Sequence, residues 1–225
     1  MIKIKKVLRS IFYEMTYRFP SHLNRIWMAH YGYMFTPAEL CFLVSCIDQT
    51  RGLPGPILEV GCFRGQTTLF LNYHMSYSRI EKAYICVDTF TGFMDKDVDF
   101  EIHVRRKDPR FTWGGFSYNA KRWFEKSFQL HNMGRVVAIQ ADVKEFDFSG
   151  IDNISLCLID VDLYLPVKSC LEKLPAKMAK GGILIVDDCM PNVVFDGACQ
   201  AFHEFVGAHH LRHEILLNKL GVLYF

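Results

Sequence analysis

The chain has no CxxC pair among its eight cysteines, no apolar run of the roughly 18 residues a bilayer span needs, and no G-x-G-x-x-G turn. Charge of neither sign dominates, because 26 basic side chains stand against 24 acidic ones for a formal net charge of +2. Such a balance creates no field that argues for a nucleic-acid partner. The cysteines, at 41, 46, 62, 86, 157, 170, 189 and 199, are scattered, and most lie in apolar runs such as AYICVD and SLCLID. Without paired spacing they read as buried free thiols of a reducing compartment, not as a disulfide frame or a zinc site. The N-terminal MIKIKKVLRSIFYEMTYRF begins basic and turns aromatic, as a signal peptide does. Its apolar part is broken by Arg9, Glu14 and Arg18, however, and no small-residue cleavage site follows. It reads as an amphipathic helix with Lys3, Lys5, Lys6 and Arg9 on a solvated face, and the protein as cytoplasmic. Internal repeats, low-complexity tracts and linkers are also missing.

What is present is globular. Half of the 225 residues are hydrophobic, enough for one α/β domain with a sizeable core. Residues 1–52 show helical spacing and no strand signal, and predict a helical extension on the substrate side. Within it, Thr36-Pro37-Ala38-Glu39 predicts a helix start, with Thr36 as N-cap and Glu39 closing a capping box. From Ile57 strands and helices alternate over 53–225. ILEV, AYICVD, RVVAIQAD, ISLCLIDVD and GGILIVDD are short apolar strands, with helices over TTLFLNYHM, SYNAKRWFEKSFQLHN, VKSCLEKLPAKMA and CQAFHEFVGAHH. Residues 89–116 read as irregular, and EILLNKL with GVLYF as a closing antiparallel pair. Apolar strands alternating with helices predict a doubly wound, mostly parallel sheet buried on both faces.

In an open α/β sheet, ligands bind at the carboxyl ends of the strands. Each of the five strands ends in a carboxylate: Glu59, Asp88, Asp142, Asp160 with Asp162, and Asp187 with Asp188. Helix capping could account for one or two of these, but five in succession read as a functional rim. The first turn, Glu59-Val60-Gly61-Cys62-Phe63-Arg64-Gly65, has its glycines spaced E-x-G-x-x-x-G, unlike a pyrophosphate-binding turn. An acid there suits a cationic ligand such as an amino-acid ammonium. Asp88 is placed to accept ribose hydroxyls, and Asp142 to meet an adenine amino group. Ammonium, ribose and adenine together describe S-adenosylmethionine. The second cluster, Asp160, Asp187 and Asp188, cannot stay fully ionised without a counter-charge. Its all-oxygen donors favour Mg²⁺.

At these residues the chain resembles the macrocin O-methyltransferase (TylF-type) family. The resemblance rests on GLPGPILEVGCFRGQTT, VDTFTGF, LIDVDLYLPVKSCLEKLPAKMAKGGILIVDD and DGACQAF, roughly residues 52–202. It implies a Rossmann-like class I methyltransferase that carries the methyl of S-adenosylmethionine to a hydroxyl of a sugar or natural product with the help of Mg²⁺. It implies that Glu59, Gly61, Gly65 and Thr67 hold the methionine part of the cofactor. Asp88 becomes the ribose acid, flanked by Phe90 and Gly92, and Asp142 the adenine neighbour. Asp160, Asp187 and Asp188 become the metal ligands, with Asp160 also contacting the cofactor and relaying the proton. Val161 stands where the family often has glycine. Residues 108–117, with Trp113, Gly114, Gly115 and Phe116, are expected to form a lid. Two other readings remain: a nicotinamide-dependent oxidoreductase on the same sheet, and a non-catalytic protein that binds S-adenosylmethionine. A second copy of the chain is compatible with either.

Overall fold

Thr36 starts the first helix of the domain as its spacing predicts. Its Oγ1 accepts the Glu39 backbone N–H, and the Glu39 carboxylate accepts the Thr36 N–H in return. The computed structural model describes residues 11–12, 14–15, 31–110, 116–191 and 193–225. The chain divides into two compact units, Met1–Met34 and Phe35–Phe225. In the first, Ile11, Phe12, Glu14 and Met15 are helical and exposed; the rest of the expected N-terminal helix lies outside the described residues. All that follows concerns the second unit.

Its elements run α1 (Pro37–Thr50), β1 (Ile57–Val60), α2 (Gln66–Tyr77), β2 (Tyr84–Asp88), α3 (Asp95–His103), α4 (Lys121–Leu130), β3 (Val136–Gln140), β4 (Ile154–Ile159), α5 (Tyr164–Lys173), β5 (Met178–Val186), α6 (Gly197–Ala208), β6 (Arg212–Leu216) and β7 (Leu220–Tyr224). The seven strands form one sheet in the order β3-β2-β1-β4-β5-β7-β6. The first five are parallel, and β7 pairs antiparallel with both β5 and β6. This is the expected doubly wound α/β sheet with an antiparallel closing pair.

Every residue of β1 and β4 is buried, because both lie mid-sheet with helices on each face. Alternation along β1 sends Leu58 and Val60 into a core shared with Val167, Leu171, Ala198 and Phe202 of α5 and α6. Glu59 points the other way, toward α2. The order reverses between β1 and β4, which creates the crevice where ligands bind in such sheets. Backbone bonds carry the ladder past the strand ends there. Gly61 N–H donates to Val87 O, Asp160 N–H to Val60 O, Asp187 N–H to Ile159 O, and Cys189 N–H to Lys219 O. These bonds align the ends of β2, β1, β4 and β5 and the start of β7 along one edge.

One expectation fails within 89–116, where α3 replaces part of the irregular stretch. Its sequence, DKDVDFEIH, has no apolar stripe, so periodicity could not reveal it. Charges hold it instead. Buried Asp97 pairs with Lys144, and buried Glu101 pairs with Arg105. The Glu101 carboxylate also accepts the backbone N–H of Tyr164 at the start of α5. Seven of the eight cysteines are buried and Cys41 is exposed, which agrees with apolar packing of the thiols. Among the described residues no helix is long and apolar enough to cross a membrane.

Candidate active site

The turn after β1 is built around the Asp88 carboxylate. Asp88 Oδ2 accepts the N–H of Cys62 at 2.9 Å and of Phe63 at 2.8 Å, while Oδ1 accepts only the N–H of Phe90, at 2.6 Å. Burial raises the Asp88 pKa, and the three N–H bonds oppose that rise. Gly61 sits at φ 88° and approaches β4 so closely that an added Cβ would lie 1.8 Å from the carbonyl oxygen of Asp160. Gly65, at φ 81°, is packed under the rings of Phe124 and Phe128. Phe63, Phe90, Asp162 and Asp188 also adopt left-handed backbone, at φ 46°, 54°, 59° and 57°. Each conformation costs about 1 kcal/mol or more, and all four occur at strand carboxyl ends. Such strain collects where geometry serves a site.

Glu59 is not on the rim. It is 1% exposed, and its Oε2 accepts the hydroxyls of Thr68 and Tyr84, each at 2.7 Å. Burial raises its pKa to about 7, against those two bonds. The carboxylate is thus held beneath the turn, bonded to α2 and β2 through one oxygen. Thr67, chosen from sequence, is half-buried, whereas its neighbour Thr68 holds Glu59. The folded protein keeps a proton on Glu59 that the unfolded chain releases between its ordinary value and about 7. Stability from this group is thus full below the unfolded pKa and lost as pH rises through 7. Glu59→Gln should flatten that loss, gaining about 3 kcal/mol on wild type between pH 5 and 8. Urea unfolding at both pH values measures it, and parallel curves for the two proteins would contradict it.

Asp160, Asp187 and Asp188 do come together, and Asp162 joins them. Burial, followed by the charges of Asp187, Asp162 and Asp188, holds the half-buried Asp160 well above the usual carboxylate range. Asp162 is raised similarly by burial and by the facing Asp188 carboxyl. Asp187, 6% exposed, is raised by burial to about 6. The counter-charge is one the sequence reading did not include. Lys219 Nζ lies 2.8 Å from Asp187 Oδ2 and 3.3 Å from Asp188 Oδ1. Burial would lower the lysine pKa, but Asp187, Asp188 and Asp160 override it and hold the ammonium charged. Among the described residues no group of three His, Cys, Asp or Glu side chains is arranged to hold a metal ion as it stands. In the cluster Lys219 takes one oxygen each of Asp187 and Asp188. The donor set nonetheless fits a hard cation: four carboxyl groups share that one ammonium, and Asp187 Oδ1 is buried with no partner.

Asp142 lies past the end of β3, where Ala141 N–H donates to Asp88 O. Its carboxylate is taken up by Lys144, which bonds both oxygens at 3.0 and 2.8 Å. Gly92, at φ 92°, lets the turn after β2 pass within 3.0 Å of Ser117 N, measured from an added Cβ. Of the expected lid, residues 111–115 lie outside the described residues. The adjoining stretch is tied to the first turn: Arg64 donates to Tyr118 O, and Asn119 Nδ2 donates to Phe63 O. Phe63, Phe93, Phe116 and Phe195 meet above it, with ring centres 5.2–6.4 Å apart. His203, His209 and His213 each place Nδ1 against a nearby backbone carbonyl.

A family model described as macrocin-O-methyltransferase (TylF) matches residues 32–224. Among curated proteins, the mycinamicin III 3''-O-methyltransferase of Micromonospora griseorubida is 23% identical over 192 residues, 80% of this chain and 72% of that one. Among solved structures, the calicheamicin methyltransferase CalS11 aligns with a TM-score of 0.68 at 24% identity, covering 84% of this chain and 79% of that one. The O-methyltransferase NovP aligns with a TM-score of 0.70 at 18% identity, covering 88% and 84%. At such identities the structural likeness speaks to the fold alone, an α/β sheet shared with these two proteins.

Proposed function

Because the chain belongs to the macrocin-O-methyltransferase (TylF) family, and so is an S-adenosylmethionine-dependent methyltransferase, we propose that its acceptor is a hydroxyl of a sugar or glycosylated natural product, with Mg²⁺ at the acidic cluster. The observation that carries this reading is the convergence of Asp160, Asp162, Asp187 and Asp188 beside the Gly61 turn. Relatives named for a mycinamicin 3''-O-methylation and a TDP-rhamnose 3'-O-methylation support a sugar acceptor.

The residues divide the work. Gly61, Gly65 and Thr67 form the turn for the methionine part, with Glu59 buried under it. Asp88 Oδ1, which accepts a single N–H, keeps a lone pair for a ribose hydroxyl. Phe90 and Gly92 shape the wall beside it, and Asp142, already paired with Lys144, borders the adenine end. Asp160 takes the proton of the acceptor hydroxyl. Its backbone packs directly against the Gly61 turn, so a carboxylate stands beside the place where the methyl is held. The oxygen then bonds the methyl carbon as the carbon–sulfur bond breaks, leaving S-adenosylhomocysteine. Asp160, Asp187 and Asp188 would hold Mg²⁺, whose contribution is to lower the acceptor's pKa.

Incubation with methyl-labelled S-adenosylmethionine, a panel of sugar nucleotides and glycosides, and either Mg²⁺ or EDTA tests this. The expected result is one labelled methyl ether per S-adenosylhomocysteine, lost in EDTA. Undiminished turnover in EDTA would remove the metal. Binding of S-adenosylhomocysteine with no acceptor methylated would favour a non-catalytic protein.

A further inference from the structure

The acidic cluster contains a cation of its own, and its mounting suggests why. Lys219 follows a tight turn in which Leu217 and Asn218 are both left-handed, at φ 52° and 55°. Its carbonyl accepts the Cys189 N–H at 2.7 Å, so the backbone is pinned to the segment just after Asp188. Its ammonium stands 5.1 Å from the centre of the Phe35 ring and reaches Asp187 and Asp188. The base of the side chain is therefore fixed while four rotatable bonds carry the charge.

One ammonium does not complete the site. It carries a single charge against four carboxyl groups, and it bonds Asp187 Oδ2 while Oδ1 of the same carboxylate stays buried without a partner. Leaving such an oxygen unpaired in the interior carries the cost of desolvating it with no bond in return. A divalent ion brings twice the charge and accepts several oxygens at once. Ion and lysine cannot hold the same oxygens together, since like charges at that separation repel.

We propose that Lys219 is a tethered substitute for the cluster's metal ion: its ammonium competes with a divalent cation for Asp187 and Asp188 and must swing aside when the ion binds. The inference rests on the metal reading above. The lysine keeps the metal-free cluster folded and sets a threshold concentration below which no ion enters.

Titration of the metal-free protein with Mn²⁺, read by the electron-spin-resonance signal of the free ion, together with thermal melts, tests this. Lys219→Met should bind Mn²⁺ about tenfold or more tightly than wild type. Its metal-free melting temperature should fall below wild type, and saturating Mn²⁺ should close the gap. Lys219→Arg, which keeps the charge, should bind as wild type does. Should the Met variant fail to fold without metal, Lys219→Gln asks the same question with a polar stem in place. If wild type binds Mn²⁺ and neither neutral variant binds it more tightly, the competition is refuted while the metal reading stands. If wild type binds none and a neutral variant does, the lysine is the substitute and the metal reading of the natural enzyme fails. If no variant binds Mn²⁺, both fall.

Discussion

Asp160→Asn should lower kcat about 10³-fold while S-adenosylhomocysteine binds as tightly as before and the melting temperature rises. The two effects have one cause. Asp160 is raised well above the usual carboxylate range by burial and by Asp187, Asp162 and Asp188, so its ionised form destabilises the fold it serves. Asparagine keeps the size, and the backbone bond from residue 160 to Val60 O is untouched. What goes is the oxygen that takes the proton, one ligand of the proposed Mg²⁺, and one charge from a crowded cluster. A purely structural aspartate would behave in the opposite sense, with stability lost and turnover following it down. Steady-state kinetics beside calorimetric melts separate the two cases. A stable variant of unchanged kcat would exclude Asp160 as the base.

Gly61→Ala should destabilise the domain by about 3 kcal/mol or more. An alanine Cβ would stand 1.8 Å from Asp160 O and 2.6 Å from its carbonyl carbon, on a backbone held at φ 88°. Those atoms are main chain, in the strand end that also donates Asp160 N–H to Val60 O. Relief requires β1 and β4 to part at the crevice, so affinity for S-adenosylhomocysteine should fall with stability. Gly207→Ala is the control, because it lies in α6 with nothing within 4 Å of its added Cβ. Helix propensity alone should make it neutral or stabilising by up to about 1 kcal/mol. Urea unfolding of both variants measures the difference, and equal small effects would contradict the close approach.

How much of this was legible in the sequence depends on whether the signal was local. ILEV, ISLCLI and the closing hairpin announced themselves by apolar runs and turn residues, and the capping box at Thr36 by its spacing. So did the row of strand-end carboxylates, because a parallel sheet puts all its carboxyl ends on one edge. Helix α3 was hidden because Asp97 bonds Lys144 and Glu101 bonds Tyr164, both distant in sequence, and only the Glu101–Arg105 pair is local. Lys219 was hidden for the same reason, since a lysine in a hairpin turn looks like any solvated lysine until β7 is laid beside β5. Asp142 had a nearer warning in Lys144 two residues on, which satisfies its carboxylate locally. Glu59 shows the limit of strand-end logic: alternation along β1, not position at its end, decided that the carboxylate faces Thr68 and Tyr84.

A crystal structure of the protein with S-adenosylhomocysteine tests the central claim most directly, namely that cofactor and acceptor meet between the Asp88 turn and the acidic cluster. The product should lie over Gly61, with its ribose on Asp88 and its sulfur toward Asp160. Density instead in the cavity of about 600 Å³ between α4 and β3, lined by Phe124, Phe128, Met133 and Val136, would place the chemistry at the far edge of the sheet and leave the acidic cluster without a role.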